Sequence, residues 1–125
     1  MTDPAWPADL LERLRTEREV GIRTSDADGT EHTAIIWVVV DDRERVLVRS
    51  WKGAGARWFR EVTAGRPVAL VHDEAAHDVA VHAATDADRV AACSAELERK
   101  YAGDPATASM VRDEILDTTL ELTPA

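Results

Sequence analysis

The segment 49–58 combines basic, hydroxyl and glycine residues in one short stretch of chain. These residues are Arg49, Ser50, Lys52, Gly53, Gly55 and Arg57. The pattern predicts a strand that delivers the first two residues to a loop, and a helix that follows the loop. The first N–H groups of a helix attract anions, and glycine lets the backbone approach an anion closely. The sequence therefore predicts a phosphate-binding loop.

Tryptophan is concentrated around the same loop. Trp37, Trp51 and Trp58 fall within 22 residues, and Trp51 or Trp58 is placed to pack on a flat ring attached to the phosphate. The glycines do not form a dinucleotide fingerprint, and no Gly-Lys-Ser/Thr sequence of a P-loop follows them. Together these features favour a phosphorylated aromatic cofactor.

The charge pattern supports this interpretation but leaves an alternative open. Residues 43–60 hold six basic residues and one acid, within a chain whose formal net charge is −9. An acidic chain is a poor partner for nucleic acid or an anionic membrane. The alternative is that the arginines of this segment only pair with acids from elsewhere in the chain, as surface charges commonly do.

The length of 125 residues predicts one domain with a single core. We expect a helical segment over 1–18, a barrel core over 19–84, helices over 86–117 and a closing strand over 118–123. The individual helices are predicted at 7–17, 56–64, 86–101 and 106–116, and the strands at 20–25, 30–40, 45–51, 67–73, 78–84 and 118–123. This is a mainly β fold with peripheral helices (α+β), in which six antiparallel strands form a barrel.

The second strand has a distinctive pattern, because residues 35–40 are apolar on both faces. Such a strand is covered on both sides, here by a barrel interior and by a helix or a partner subunit. The pattern therefore favours a dimer.

Several other residues have structural rather than chemical interpretations. The spacing of His72, His77 and His82 suits no shared metal site, so we expect no metal. Cys93 and Tyr101 continue the apolar stripe of a helix and are expected in the core. No apolar run approaches the length of a transmembrane helix, and no secretory signal is recognisable. These features favour a cytoplasmic protein.

Four segments taken in order resemble the split-barrel flavin-binding superfamily. They are residues 34–40, 46–50, 56–60 and 65–70. The superfamily includes the pyridoxamine 5′-phosphate oxidase-like proteins and the deazaflavin-dependent nitroreductases. Residues 50–58 are most similar to the deazaflavin-dependent branch, and residues 118–124 resemble a small uncharacterised branch.

The resemblance implies a homodimer with a cofactor, FMN or a deazaflavin, in each of two clefts between the subunits. It implies that Ser50 and Arg57 hold the phosphate and that Lys52 lies on the same loop. The strand around Ile36, Trp37 and Val38 would face the flavin ring. No catalytic residue is named, because the cofactor carries the chemistry.

Three functional hypotheses follow from the sequence. The first is a flavin- or deazaflavin-dependent oxidoreductase that transfers hydride to a small molecule. The second is a non-catalytic protein that binds flavin, haem or another phosphorylated ring on the same fold. The third is a dimeric structural module whose cleft is closed by Trp51.

Overall fold

Residues 5–125 are described by a computed structural model, in which they form seven strands and four α-helices. The elements are α1 (Ala8–Thr16), β1 (Val20–Ser25), β2 (Glu31–Ile36), β3 (Val39–Val40), β4 (Val46–Val48), α2 (Arg57–Thr63), β5 (Val68–His72), β6 (Ala75–Ala83), α3 (Ala87–Lys100), α4 (Thr107–Met110) and β7 (Leu120–Pro124). Two 3₁₀ turns lie at Gly53–Gly55 and Asp113–Thr118. No helix within residues 5–125 is both long and apolar enough to cross a membrane.

All seven strands belong to one antiparallel sheet with the order β2-β1-β5-β6-β7-β4-β3. Strands β2 and β3 lie at opposite edges of this sheet, although only residues 37 and 38 separate them along the chain. The sheet must therefore curl until its two edges approach each other. The prediction of a mainly β, antiparallel fold with helices is confirmed, as a curled half-barrel with seven strands rather than six.

The extra strand arises because the predicted strand 30–40 is broken. Ile36 pairs with Val20 of β1, whereas Val39 pairs with Leu47 of β4. At the crossing, the Val38 N–H donates to the Tyr101 hydroxyl over 3.3 Å, and side chains replace the missing sheet partners. The apolar pattern continues through the crossing, and for this reason the pattern did not show the change of partner.

The core has two parts, one inside the half-barrel and one between the sheet and α3. Val38 and Val40 belong to the inner part, and Val39 belongs to the outer part with Cys93 of α3. Side chains alternate along extended chain, so residues 38–40 are covered on both faces, as predicted. Ile35 is 65% exposed on the edge strand β2 of the single chain, and its cover by a partner subunit stays a prediction.

Other boundaries also differ from the predictions. The predicted strand 45–51 is only β4 (Val46–Val48), so Arg49 and Ser50 follow the strand, and the closing strand predicted at 118–123 is β7 (Leu120–Pro124). The predicted helix 106–116 is the short helix α4 and a separate 3₁₀ turn, because the backbone of Arg112 is extended between them. Strand β6 begins at Ala75 rather than at residue 78. The turn before it needs only Asp73 and Glu74, which both adopt positive φ (49° and 67°), as a two-residue hairpin turn requires.

Candidate cofactor-binding pocket

A pocket of about 670 Å³ lies between β2 and the segment 49–58. This volume is within the range of small-molecule sites. Its lining residues are Glu19, Thr24, His32, Thr33, Ala34, Ile35, Ile36, Trp37, Arg49, Trp51, Lys52, Ala56, Arg57, Trp58, Ala106 and Met110. The pocket therefore brings the predicted ring-facing strand and the predicted anion-binding segment together.

The predicted site residues divide into two groups. Those that line the pocket are Ile36, Trp37, Arg49, Lys52, Arg57 and Trp58. Those outside its lining are Val38, Ser50 and Gly53. Val38 is fully buried in the inner core.

Ser50 and Gly53 form a closed turn rather than an open cradle. The Ser50 hydroxyl donates to the Gly53 carbonyl over 2.7 Å, and the side chain is fully buried. Gly53 has a φ of +72°, a conformation that glycine adopts at little cost. Helix α2 begins only at Arg57, after the 3₁₀ turn. In this conformation the Ser50 hydroxyl stabilises the loop by its hydrogen bond to Gly53. The groups that can bind an anion at the pocket are therefore the side chains that line it.

Arg49 is buried at the base of the pocket, with 2% of its surface exposed. Its guanidinium donates to four neutral oxygens: Thr119 Oγ1 at 2.9 Å, Ser94 Oγ at 2.9 Å, Met110 O at 3.0 Å and Val90 O at 3.1 Å. Burial lowers the pKa of Arg49, because desolvation disfavours the charged form. The side chain thus joins β4 to α3 and α4 while keeping its positive charge without a counter-charge.

The cations that line the pocket are not paired with acids. No carboxylate of residues 5–125 lies within 4.0 Å of a side-chain nitrogen of Arg49, Lys52 or Arg57, whereas nine other arginines have such a partner. Arg45, in the same basic segment, lies 2.6 Å from Asp41. The alternative that the arginines only offset surplus acids therefore holds for Arg43 and Arg45, and not for the residues that line the pocket.

The three tryptophans at the pocket have different surroundings. Trp37 stacks on Tyr101, with ring centroids 3.9 Å apart and planes 9° apart. Trp58 is buried and meets the edge of Phe59. Trp51 is 54% exposed and thus has the most free aromatic surface. In the single chain a pocket remains beside Trp51, and whether this side chain closes the cleft of a dimer stays a prediction.

Other predictions about single residues are confirmed. Tyr101 is buried and donates its hydroxyl to Arg18 O over 2.7 Å, and burial raises its pKa to about 12. Cys93 is fully buried, and burial raises the pKa of its thiol to about 11. A thiol in these surroundings is packing rather than a nucleophile. The expectation that His72, His77 and His82 share no metal stays a prediction. His72 lies near Glu17 and Asp73, and the possible ligand atoms of these three residues lie within 4.8 Å of one another.

His32 is the pocket residue that sequence reasoning missed most clearly. It lies on β2 and also lines a second pocket of about 420 Å³, which Arg57 lines as well. The only available signal was its place on β2, three residues after the Asp28-Gly29 step.

Comparison with families gives a clear assignment. Residues 10–122 match the model of a family described as "Uncharacterized protein conserved in bacteria (DUF2255)". The chain belongs to the DUF2255 family. No curated protein matches it.

Solved structures share the fold of this DUF2255 protein at low sequence identity. HutZ, the heme storage protein from Vibrio cholerae, is 17% identical with a TM-score of 0.64, covering 94% of this chain and 89% of that one. An F420 reductase is 17% identical with a TM-score of 0.61, covering 95% and 94%. ChuZ from Campylobacter jejuni is 14% identical with a TM-score of 0.72, covering 93% and 51%. At these identities the similarities show the fold alone.

Proposed function

We propose that this protein binds a phosphorylated planar cofactor, FMN or a deazaflavin, in the 670 Å³ pocket and acts as an oxidoreductase. The observation that carries the proposal is the set of three cations, Arg49, Lys52 and Arg57, that line the pocket without an acidic partner among residues 5–125. Arg49 is buried, where a charge without a counter-charge is costly, whereas Lys52 and Arg57 are exposed and can donate to an anion in the pocket. In a chain with 24 acidic residues, three cations of one pocket without an acidic partner favour a bound anion.

The rest of the pocket suits a flat ring. Ile36 and Trp58 are buried apolar residues, and Trp51 offers an exposed aromatic surface. A flavin or deazaflavin ring supplies hydride transfer when it is bound. The chain itself would orient the ring, hold its phosphate through Lys52 and Arg57, and exclude water from one face.

The surroundings of His32 favour a flavin over haem. Haem iron in proteins is commonly held by a histidine, and His32 is the one histidine among the described residues that line the pocket. Both of its ring nitrogens already have partners, Asp26 at 3.3 Å and Arg57 at 3.1 Å. An axial bond to iron would therefore break one of these contacts.

The first test is a titration of tryptophan fluorescence with FMN, with oxidised and reduced deazaflavin, and with riboflavin, which lacks the phosphate. We expect saturable quenching by FMN or the deazaflavin. Arg57→Ala should weaken this binding at least tenfold, because a charge-assisted hydrogen bond contributes about 1.5–3 kcal/mol. Arg60→Ala is the matched control, since Arg60 lies on the same helix, lines only the second pocket and should leave the affinity unchanged.

Two outcomes would redirect the proposal. If none of the cofactors quenches the tryptophan fluorescence, the proposal is rejected. If Trp51→Ala binds a cofactor that the wild type does not bind, the result supports the closed-cleft hypothesis. A non-catalytic carrier would be favoured if the cofactor binds but takes part in no redox reaction. In that case a nicotinamide donor would not reduce the bound cofactor, and nitro or quinone acceptors would not oxidise bound reduced deazaflavin.

A homodimer forms part of the proposal. Ile35 and Trp51, which are 65% and 54% exposed, lie at the same pocket. A second copy of the chain would cover these apolar side chains and enclose the pocket. From the composition alone, we also propose that the protein is cytoplasmic and that it binds neither nucleic acid nor a membrane.

A further inference from the structure

Three side chains form a continuous hydrogen-bond series between the two pockets. Asp26 lies in the β1–β2 turn, His32 lies on β2, and Arg57 is the first residue of α2. Asp26 Oδ2 lies 3.3 Å from His32 Nε2, and Arg57 Nη1 lies 3.1 Å from His32 Nδ1. We call this the Asp26–His32–Arg57 series.

The chemistry of the two outer members selects one form of the histidine. An ionised carboxylate only accepts hydrogen bonds, and a guanidinium only donates them. His32 therefore carries its proton on Nε2 and presents the lone pair of Nδ1 to Arg57. Both ends of the series require the same neutral tautomer.

The β1–β2 turn keeps Asp26 in the accepting state. Its Oδ1 accepts from the backbone N–H groups of Asp28 and Thr30, over 2.9 and 3.0 Å. Burial opposes ionisation of Asp26, but the hydrogen bonds from Thr30, His32 and Asp28 outweigh this effect and lower its pKa. Because Oδ1 is occupied by the backbone, Oδ2 is the oxygen that faces His32.

Other charged groups surround the series without entering it. Arg66 donates to the backbone oxygen of Asp26 over 3.2 Å. Glu61 accepts from Thr24 over 2.5 Å, and Arg60 lines the second pocket without a hydrogen bond to His32. Among the described residues, His32 is the side chain that holds Arg57.

We propose that Asp26 fixes the tautomer of His32 and thereby positions Arg57 at the mouth of the cofactor pocket. A neutral acceptor is well suited to this role. A carboxylate in its place would hold Arg57 more strongly but would also cancel the charge that an anion needs. His32 uses one N–H of Arg57 and leaves the remaining donors and the full charge to the ligand. The link to a phosphate rests on the proposed function, whereas the link from Asp26 to Arg57 does not.

The test is Asp26→Asn, which exchanges an acceptor for a donor at one atom. To keep the backbone N–H groups of Asp28 and Thr30 satisfied, the amide oxygen must take the place of Oδ1. The NH₂ group then faces His32 Nε2 and forces the proton onto Nδ1. Such a histidine cannot accept from Arg57. Asp28→Asn, in the same turn, is the matched control.

The readout does not require a ligand. We expect ¹⁵N spectra of the imidazole at pH 8 to show the Nε2–H tautomer in the wild type and in Asp28→Asn, and the Nδ1–H tautomer in Asp26→Asn. Relaxation of the Arg57 Nε–H group should show a more mobile side chain in Asp26→Asn. A wild-type Nδ1–H tautomer, or equal Arg57 mobility in all three proteins, would overturn the proposal.

Ligand binding then separates this proposal from the proposed function. If FMN binds, Asp26→Asn should weaken it about tenfold by releasing Arg57, while riboflavin, which lacks the phosphate, should be unaffected. His32→Gln can still accept from Arg57 and should retain most of the affinity, whereas His32→Leu should not. If no flavin binds the wild type, the proposed function fails, and the spectra alone decide the role of Asp26.

Discussion

At the scale of single residues, Arg49 combines burial, charge and a neutral environment. Its four hydrogen bonds go to two hydroxyl and two carbonyl oxygens of residues 90, 94, 110 and 119. A planar guanidinium spreads its donors over such a set, whereas a lysine has one ammonium group at the end of a chain. An arginine at this position therefore stabilises the fold and also places a positive charge at the pocket.

Arg49→Lys should lower the free energy of unfolding by about 2–4 kcal/mol, since buried acceptors lose their partners. The measurement is urea unfolding followed by tryptophan fluorescence. The same exchange at the exposed Arg60 should have an effect within about 0.5 kcal/mol. Equal effects at the two positions would show that the hydrogen bonds of Arg49 contribute little to stability.

The sequence predicted the basic segment but not the separate roles of its arginines. Arg45 pairs with Asp41, four residues away, and this contact is local enough to be anticipated. Arg49 finds partners at residues 90–119, which only the tertiary fold brings near. His32 was missed for the same reason, because its partner Arg57 lies 25 residues away.

At the scale of elements, the end of α3 is bonded to the crossing between β2 and β3. Lys100 Nζ donates to Val38 O over 2.6 Å and to Leu14 O in the last turn of α1 over 2.9 Å. Tyr101 stacks on Trp37 at the same place. Lys100, the last residue of α3, and Tyr101, which follows it, thus hold α1 and the crossing together.

The stability contributed at Lys100 should depend on pH. Burial lowers the pKa of Lys100 from 10.5 to about 8, although the charge of Glu17 opposes this shift. Between these values the unfolded chain binds more protons than the folded chain, so the free energy of unfolding attributable to this group rises with pH. We therefore expect the wild type to gain stability relative to Lys100→Met between pH 7.5 and 9.

Urea midpoints for both proteins at several pH values check this expectation. Cys93 and Tyr101, whose pKa values are raised in the folded state, lower stability at higher pH in both proteins, so the difference between the proteins isolates Lys100. Parallel curves would contradict the prediction.

The elements with local signals were predicted well. The stripe of Cys93, Leu97 and Tyr101 marked α3, and the Asp-Gly step marked the β1–β2 hairpin, whose glycine has a φ of +83°. The break at residues 37–38 was missed, because it is defined by a change of hydrogen-bond partner between strands. A hydrophobic pattern records burial and does not record which strand is the neighbour.

At the scale of the whole molecule, the exposed edge strand β2 bears on assembly. If Ile35 packs against a second copy of the chain, the wild type should have twice the chain mass in light scattering after size-exclusion chromatography. Ile35→Lys should shift it towards the monomer, because a buried charge without a partner is costly. Ala75→Lys, at an exposed residue outside the pocket, should leave the dimer intact, and a monomeric wild type would reject the dimer.

The position of β7 has a consequence for how the chain folds during synthesis. This strand lies between β4 and β6, and it pairs Leu122 with both Val46 and Val81. Until residues 120–124 have left the ribosome, β4 and β6 each lack the neighbour that β7 provides. The edges of these two strands that will pair with β7 therefore stay open while the rest of the sheet is already synthesised. Pairing over such long sequence separations is slow, and open edges invite association with other chains. The emerging polypeptide should therefore depend on chaperones until its closing strand is released.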